Sequence, residues 1–311
     1  MATAAPTPAP ALRLEGPDVA LLVGLSVLWG AAYIFIANGI RLGAAPLLFA
    51  SVRYGLSAAG FGLLAALRRD VLPARRALAV SAAVGGLLVI GLYGGLLYWG
   101  EQYTTGGYAA VLSSTAPILT VAFALAFLPA ERLAPLALGG IALGFAGAVV
   151  LVLPDLTAGA GGAGYGPLFV LGAYVSAAAG TVLLRRYGRG PQGLWQIGSQ
   201  FAVASLLLGV ATAFVPGGEA LPLSAGVLAN LAALVAFSSL MGYFVYFRLH
   251  HRVGPVRANI VTYLVPLVGL GIGTGIFAEP VSLNEIVGLV IVIVGVTLVV
   301  RESSRRPRGA S

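Results

Sequence analysis

Arg53 and Glu101 carry formal charge inside or beside long apolar runs. A charge near the centre of such a run costs a few kcal/mol or more, so it must face protein or water. The Arg53 guanidinium could anchor a ligand carboxylate, partner an acid that titrates, or serve as a structural hub bonding helix ends and carbonyls. Glu101 could bind a proton or a cation, pair with an arginine, or stand solvated at a loop. If it is buried, its proton affinity rises, which suits proton coupling.

Two prolines mark where a backbone is open to a ligand. Pro117 lies in AAVLSSTAPIL and Pro266 in ANIVTYLVPLV, midway along apolar stretches at matching places in the two halves of the chain. Each proline removes one helical hydrogen bond, which predicts freed carbonyls at Ser113 and Thr262. Such breaks in corresponding segments point to a central binding site. Ser113, Ser114, Asn259 and Thr262 precede the prolines. Hydroxyls there often repair the backbone, so Ser114 and Asn259 are the better ligand candidates. Trp29, Tyr33, Tyr98, Tyr174, Tyr243, Tyr246 and Tyr263 could line an apolar cavity with hydroxyl handles, against the plainer reading of core packing. Gln196 and Gln200 share a helix face and suit a cavity wall or an interhelical bond equally.

These residues are set in a chain of 311 residues that is 59% hydrophobic and 9% charged, with mean hydropathy +0.97. Soluble domains carry about 25% charged residues, so an integral membrane protein is expected. Ten apolar stretches are long enough to cross a bilayer: 19–39, 45–67, 77–99, 106–128, 134–153, 165–184, 193–214, 225–247, 257–278 and 281–300. Sixteen arginines fall in one set of loops and tails, and Arg41 alone in the other. That bias places both termini in the cytoplasm of a multi-pass protein of the inner or plasma membrane.

The similarity around the prolines extends further. Ala109 matches Ala258, Glu131 matches Glu279, Gly140 matches Gly288 and Gly147 matches Gly295. The expected organisation is a tail over 1–17, a first five-helix repeat over 18–153, an external glycine-rich linker over 154–164, a second repeat over 165–300 and a basic tail over 301–311. An odd number of spans per repeat makes the copies inverted. The expected fold class is therefore all-α and membrane-integral, ten helices in two inverted repeats around a central cavity.

Trp29-Gly30, Arg53, the run from Tyr103 to Leu133 and the run from Gly254 to Pro280 resemble the drug/metabolite transporter superfamily, EamA type. The resemblance implies a ten-helix exporter or exchanger of small metabolites. It also implies that arginine is common at position 53, whereas an apolar residue is usual at position 101.

Secondary transport of an amino acid or an amphipathic aromatic compound is thus the leading expectation, coupled to protons or a counter-substrate. An intramembrane enzyme and a channel-like protein are the alternatives. The enzyme is weakened by the absence of cysteine, of HExxH and of GxSxG on a helix. No cofactor, metal or nucleic acid is expected. His250-His251 is a loop pair, and the GxGxxG over 159–164 follows no strand. Gly140, Gly144 and Gly147, and Gly271 with Gly275, are expected to let helices approach closely, with a homodimer as their second use. Glu131 and Glu279 are expected to anchor helix ends.

Overall fold

The computed structural model describes residues 16–127, 135–157, 165–188, 193–215, 220–253 and 261–305. The expectations for Glu131, Asn259 and the GxGxxG stretch lie outside these residues, as do those for most of both tails. Among the described residues the regular structure is entirely helical. The helices are α1 (Gly16–Arg41), α2 (Pro46–Leu67), α3 (Arg75–Gly100), α4 (Gly106–Phe127), α5 (Pro135–Thr157), α6 (Gly166–Tyr187), α7 (Leu194–Thr212), α8 (Ala225–Ala233, Leu234–Met241 and Gly242–Val253), α9 (Val261–Phe277) and α10 (Leu283–Arg305).

Seven of them are long and apolar enough to cross a membrane. The apolar stretches Leu138–Leu151, Val261–Phe277 and Leu283–Leu298, in α5, α9 and α10, are shorter. Leu63, Leu206, Phe214 and Ile276 stand exposed on the outside, while Arg53, Glu101, Ser57 and Gln200 are buried. That distribution suits a lipid surround and a polar interior.

Local chemistry sets the helix ends. Pro46 opens α2 with its fixed φ and no donor to waste. Thr105 caps α4 by accepting from the Tyr108 amide at 3.1 Å, and Ser224 caps α8 by accepting from Val227 N at 3.3 Å. Beyond α9, Ala278 adopts a left-handed φ of 51°. The Glu279 amide then bonds back to the Gly273 carbonyl at 2.9 Å. This closure turns the Glu279 side chain over the end of its own helix.

Contacts between the halves come in matching sets. α2 packs on α7, α5 on α10 and α4 on α9; α3 meets α7 as α8 meets α2; α1 meets α9 as α6 meets α4; α3 meets α6 as α8 meets α1. At the α2–α7 crossing the matching is reciprocal. Ser51 Oγ donates to the Ser205 carbonyl and Ser205 Oγ donates to the Ser51 carbonyl, both at 2.8 Å. A Cβ on Gly55 would meet Ser205 Oγ at 3.0 Å, and one on Gly209 would meet Ser51 Oγ at 3.1 Å. The backbone also widens to i→i+5 bonding in α3 over Ser81–Leu92 and in α8 over Leu234–Met241.

The two proline segments differ from expectation. α4 tightens to a 3-10 turn at Ser113–Thr115, and the Ala116 amide takes the Ser113 carbonyl, so that carbonyl is not left open. Ser113 Oγ and Thr115 Oγ1 donate to the carbonyls of Ala110 and Leu112. α9 continues as α-helix through Pro266. The breaks are therefore unequal. Three consecutive hydroxyl residues let α4 change its winding, whereas α9 has mainly branched apolar neighbours.

The glycines also divide. Gly140, Gly144, Gly147, Gly288 and Gly295 bring α5 and α10 into backbone contact; a Cβ on Gly295 would lie 2.6 Å from the Gly140 carbonyl. Gly271 and Gly275 meet nothing within 4 Å, so the expected close approach does not occur there, because they lie on the outer side of α9.

Candidate functional site

Arg53 projects from α2 into the bundle. Its Nη1 donates to Tyr98 Oη on α3 at 2.9 Å, and its Nη2 donates to Ser238 Oγ in the widened stretch of α8 at 2.9 Å. The guanidinium carbon stands 5.4 Å from the Tyr54 ring centre. Arg53 Nε is buried without a partner. Each of these neighbours is neutral, so the buried cation touches no carboxylate among the described residues.

Aromatic rings enclose this guanidinium. Tyr98 is fully buried and packs edge-on against Phe49 and Tyr54 at 5.8 and 6.3 Å. Next to it, Phe61, Phe201 and Tyr243 form a mutual cluster with centroids 5.4–5.8 Å apart. Trp29 joins through Tyr243 at 6.2 Å and Tyr246 at 5.3 Å, and its Nε1 donates to the Ser238 carbonyl at 3.2 Å. Below Phe61 opens a cleft of about 520 Å³, lined in part by Leu240, Phe247, Arg68, Arg248 and Arg252. The aromatic cluster thus stands between Arg53 and the cleft at the arginine-rich end.

A second polar group sits where α1, α3 and α6 meet. Tyr174 Oη donates to Tyr33 Oη at 2.8 Å, Tyr93 packs on Tyr174 at 5.7 Å, and Tyr93 and Ser113 lie within bonding reach of Tyr33. Ser114 Oγ is buried without a partner, on the turn that also carries Ser113.

The opposite end of the bundle is closed by acids. Glu279 Oε1 accepts from Arg41 Nη2 at 3.1 Å and its Oε2 from the Gly107 amide at 2.8 Å. The latter bond places a carboxylate at the N-terminus of α4, where the exposed amides favour negative charge. Only glycine leaves room for it: a Cβ on Gly273 would lie 2.6 Å, and one on Gly107 2.9 Å, from Glu279 Oε2. Beside this pair, Glu101 is 3% exposed. Neither of its oxygens makes a hydrogen bond of normal geometry, although the Ala37 backbone lies close enough to act on it. Burial first, then the field of Glu279, holds the Glu101 carboxyl well above the usual carboxylate range, against the opposing pull of Arg53 and Arg41.

The residues singled out from sequence thus fall into several places. Arg53 and Tyr98 meet directly; Trp29, Tyr243 and Tyr246 form the adjoining aromatic wall; Tyr33 and Tyr174 are bonded to each other. Gln200 instead donates to Ser81 Oγ at 2.8 Å and packs against Gly85, so it ties α7 to α3. Gln196 accepts from the Gly193 amide at 2.8 Å, capping α7. Tyr263 is half-buried against the core and is not among the rings around Arg53. Sequence reasoning missed Tyr54, Phe61, Phe201 and Ser238, which have no distinguishing spacing. Glu279 serves as the expected helix-end anchor, but for α4 as well as for α9.

A bundle of apolar helices with a buried cation, ordered tyrosine hydroxyls and acids at one mouth defines a multi-pass membrane protein with a polar core. The model of the EamA-like transporter family matches this chain twice, over residues 17–153 and 164–301, and the chain belongs to that family. The Escherichia coli K12 protein YedA, described as an uncharacterized inner membrane transporter, is 32% identical over 288 residues, 91% of this chain and 90% of its own. The uncharacterized transporter YvbV of Bacillus subtilis is 27% identical, covering 93% of each chain. A probable terminal-alkyne amino-acid exporter of Streptantibioticus cattleyicolor is 28% identical over 93% of this chain and 95% of its own. One crystal structure superposes with a TM-score of 0.62 at 20% identity, over 93% of this chain and 99% of the other, which bears on fold alone. Family and relatives indicate a transporter rather than an enzyme.

Proposed function

We propose that this protein is a secondary transporter that exports a small carboxylate-bearing metabolite, an amino acid or an amphipathic aromatic compound, by alternating access. The observation that carries the reading is Arg53: a buried guanidinium whose bonds go to neutral hydroxyls and whose Nε is unpartnered. A buried charge without a counter-ion is costly, and a substrate carboxylate would supply that counter-ion. The surrounding rings offer an apolar wall for the rest of the solute.

Two inverted halves, ten spans and cytoplasmic termini complete the reading. It is supported by the double family match, the reciprocal Ser51–Ser205 bonds and the matched helix contacts. The arginine-rich cleft is then cytoplasmic, and the state described is shut on the outside by Glu279 and entered from the inside as far as the aromatic cluster. A name among the relatives, the amino-acid exporter, favours amino acids within this class.

Counterflow into proteoliposomes preloaded with pooled amino acids tests it. Saturable exchange is expected, lost in Arg53→Ala and reduced in Tyr243→Ala. Normal exchange by Arg53→Ala, or flux that never saturates, refutes the carrier with Arg53 as its anchor.

A further inference from the structure

Glu101 is, among the described residues, the buried acid whose two oxygens both lack a bonding partner. It follows Tyr98 by three residues. Tyr98 lies in the last turn of α3 and Glu101 directly beyond it, so the two side chains share one face about a turn apart. Since Tyr98 Oη takes Arg53 Nη1, a guanidinium and an uncommitted carboxyl flank the same patch of α3. The titratable groups close enough to act electrostatically with Glu101 come from several elements: Arg53 and Tyr54 on α2, Arg41 and Tyr33 on α1, Tyr174 on α6, Glu279 beyond α9 and Tyr98 on its own helix. Of the two arginines, Arg41 is already bonded to Glu279 and Arg53 to Tyr98 and Ser238. Neither is bonded to Glu101.

We infer that Glu101 is a shared site for a proton and for the ammonium group of a zwitterionic substrate, with Arg53 taking that substrate's carboxylate. The inference deepens the transport reading above and rests on it. In the empty site the Glu101 carboxyl keeps its proton, because an isolated carboxylate there would stand beside the Glu279 carboxylate in a buried region. An ammonium group supplies the missing counter-charge, so its arrival lets the O–H bond of Glu101 break and the proton pass to water. On the outer side a proton taken from water re-forms that bond, and the ammonium group leaves. One proton enters for each amine expelled, and only the O–H bond breaks and re-forms. An ionised Glu101 left without substrate would also repel Glu279 and loosen the outer closure. The same pairing therefore discourages return of the empty carrier without its proton.

The test uses purified full-length protein in weakly buffered detergent with a pH-indicator dye. The probes are pooled neutral amino acids, their N-acetyl forms and their methyl esters. Amino acids are expected to release protons from the wild type. N-acetyl forms, which lack the ammonium, should release none, and the esters should bind weakly. Glu101→Gln should lose proton release, show weakened counterflow of amino acids because their ammonium group loses its partner, and gain use of the N-acetyl forms. Infrared spectra give a reading without substrate: a protonated-carboxyl band at neutral pH, absent in Glu101→Gln. Wild-type counterflow without proton release, equal use of N-acetyl forms, or unchanged proton release in Glu101→Gln overturns this inference and leaves the transport reading standing. Absence of the infrared band from the wild type overturns it independently of any substrate. Absence of counterflow by every probe removes both.

Discussion

Under the orientation proposed above, the outer and inner ends of the bundle are closed by the same kind of bond in different settings. At the outer end Glu279 is 4% exposed and takes both Arg41 and a backbone amide in a cradle of two glycines. At the inner end Asp18, itself buried, meets Arg252 at 2.7 Å; Arg252 is 40% exposed, against 48% for Arg41, and borders the open cleft. Both pairs fasten an end of α1 to the second half of the chain. Both acids are buried and both arginines are reached by solvent, so the difference lies in the backbone: Glu279 also takes the Gly107 amide, which would be left without its acceptor if the pair opened. The outer closure is therefore tied into the backbone of α4, whereas the inner pair borders an open cleft.

Removing the outer acid should have the largest effect. Glu279→Ala leaves Arg41 and the Gly107 amide without their acceptor, and a loss of about 2–3 kcal/mol is expected. The chain has no cysteine, so Ala37→Cys gives a clean reporter. Its thiol should resist a membrane-impermeant maleimide in the otherwise native protein and react quickly once Glu279 is replaced. Equal labelling in both backgrounds would mean that Glu279 holds nothing shut. Gly273→Ala should act in the same direction more gently, by about 1–3 kcal/mol of overpacking, because its Cβ would overlap Glu279 Oε2. Thermal melting in detergent should rank the two.

The helices and the polar landmarks were open to a reading of the sequence, and the reasons are physical. Apolar length and arginine placement depend on composition along the chain, so the observed helices follow the expected spans to within a few residues wherever both are described. Arg53 and Glu101 stood out because charge in such runs is expensive. What could not be read was who meets whom. Phe61, Phe201 and Ser238 look like any other residues of an apolar helix, and only packing brings them around Arg53. Gln200 illustrates the reverse: its chemistry suits a cavity, but its height on α7 places it against Ser81. The Ser51-Gly55 and Ser205-Gly209 pairs repeat one S-x-x-x-G spacing, a short signal that only the α2–α7 crossing makes meaningful.

Acidity offers a finer probe of the outer end. Because the folded protein holds the Glu101 proton more tightly than an unfolded chain does, folding takes up protons between the two affinities. Stability should accordingly fall as pH rises above about 4.3, the ordinary glutamate value. Glu101→Gln removes that contribution and leaves those of all other groups. The variant's melting temperature should exceed the wild type's by a margin that widens from about pH 5 to about pH 8. A margin that stays constant would mean that Glu101 is ionised throughout this range.

The inner clasp should give the smallest change. Asp18→Asn keeps the shape of the side chain and removes its charge. Since Arg252 is partly solvated, the pair contributes about 0–1 kcal/mol, and that contribution should shrink further in high salt. The prediction is a melting temperature barely altered, with inward-facing residues around Phe61 more quickly labelled at low ionic strength and equally labelled at high. If Asp18→Asn instead destabilises the protein as much as Glu279→Ala does, the two closures are equivalent. The asymmetry behind the proposed inwardly open state would then have to come from the aromatic cluster alone.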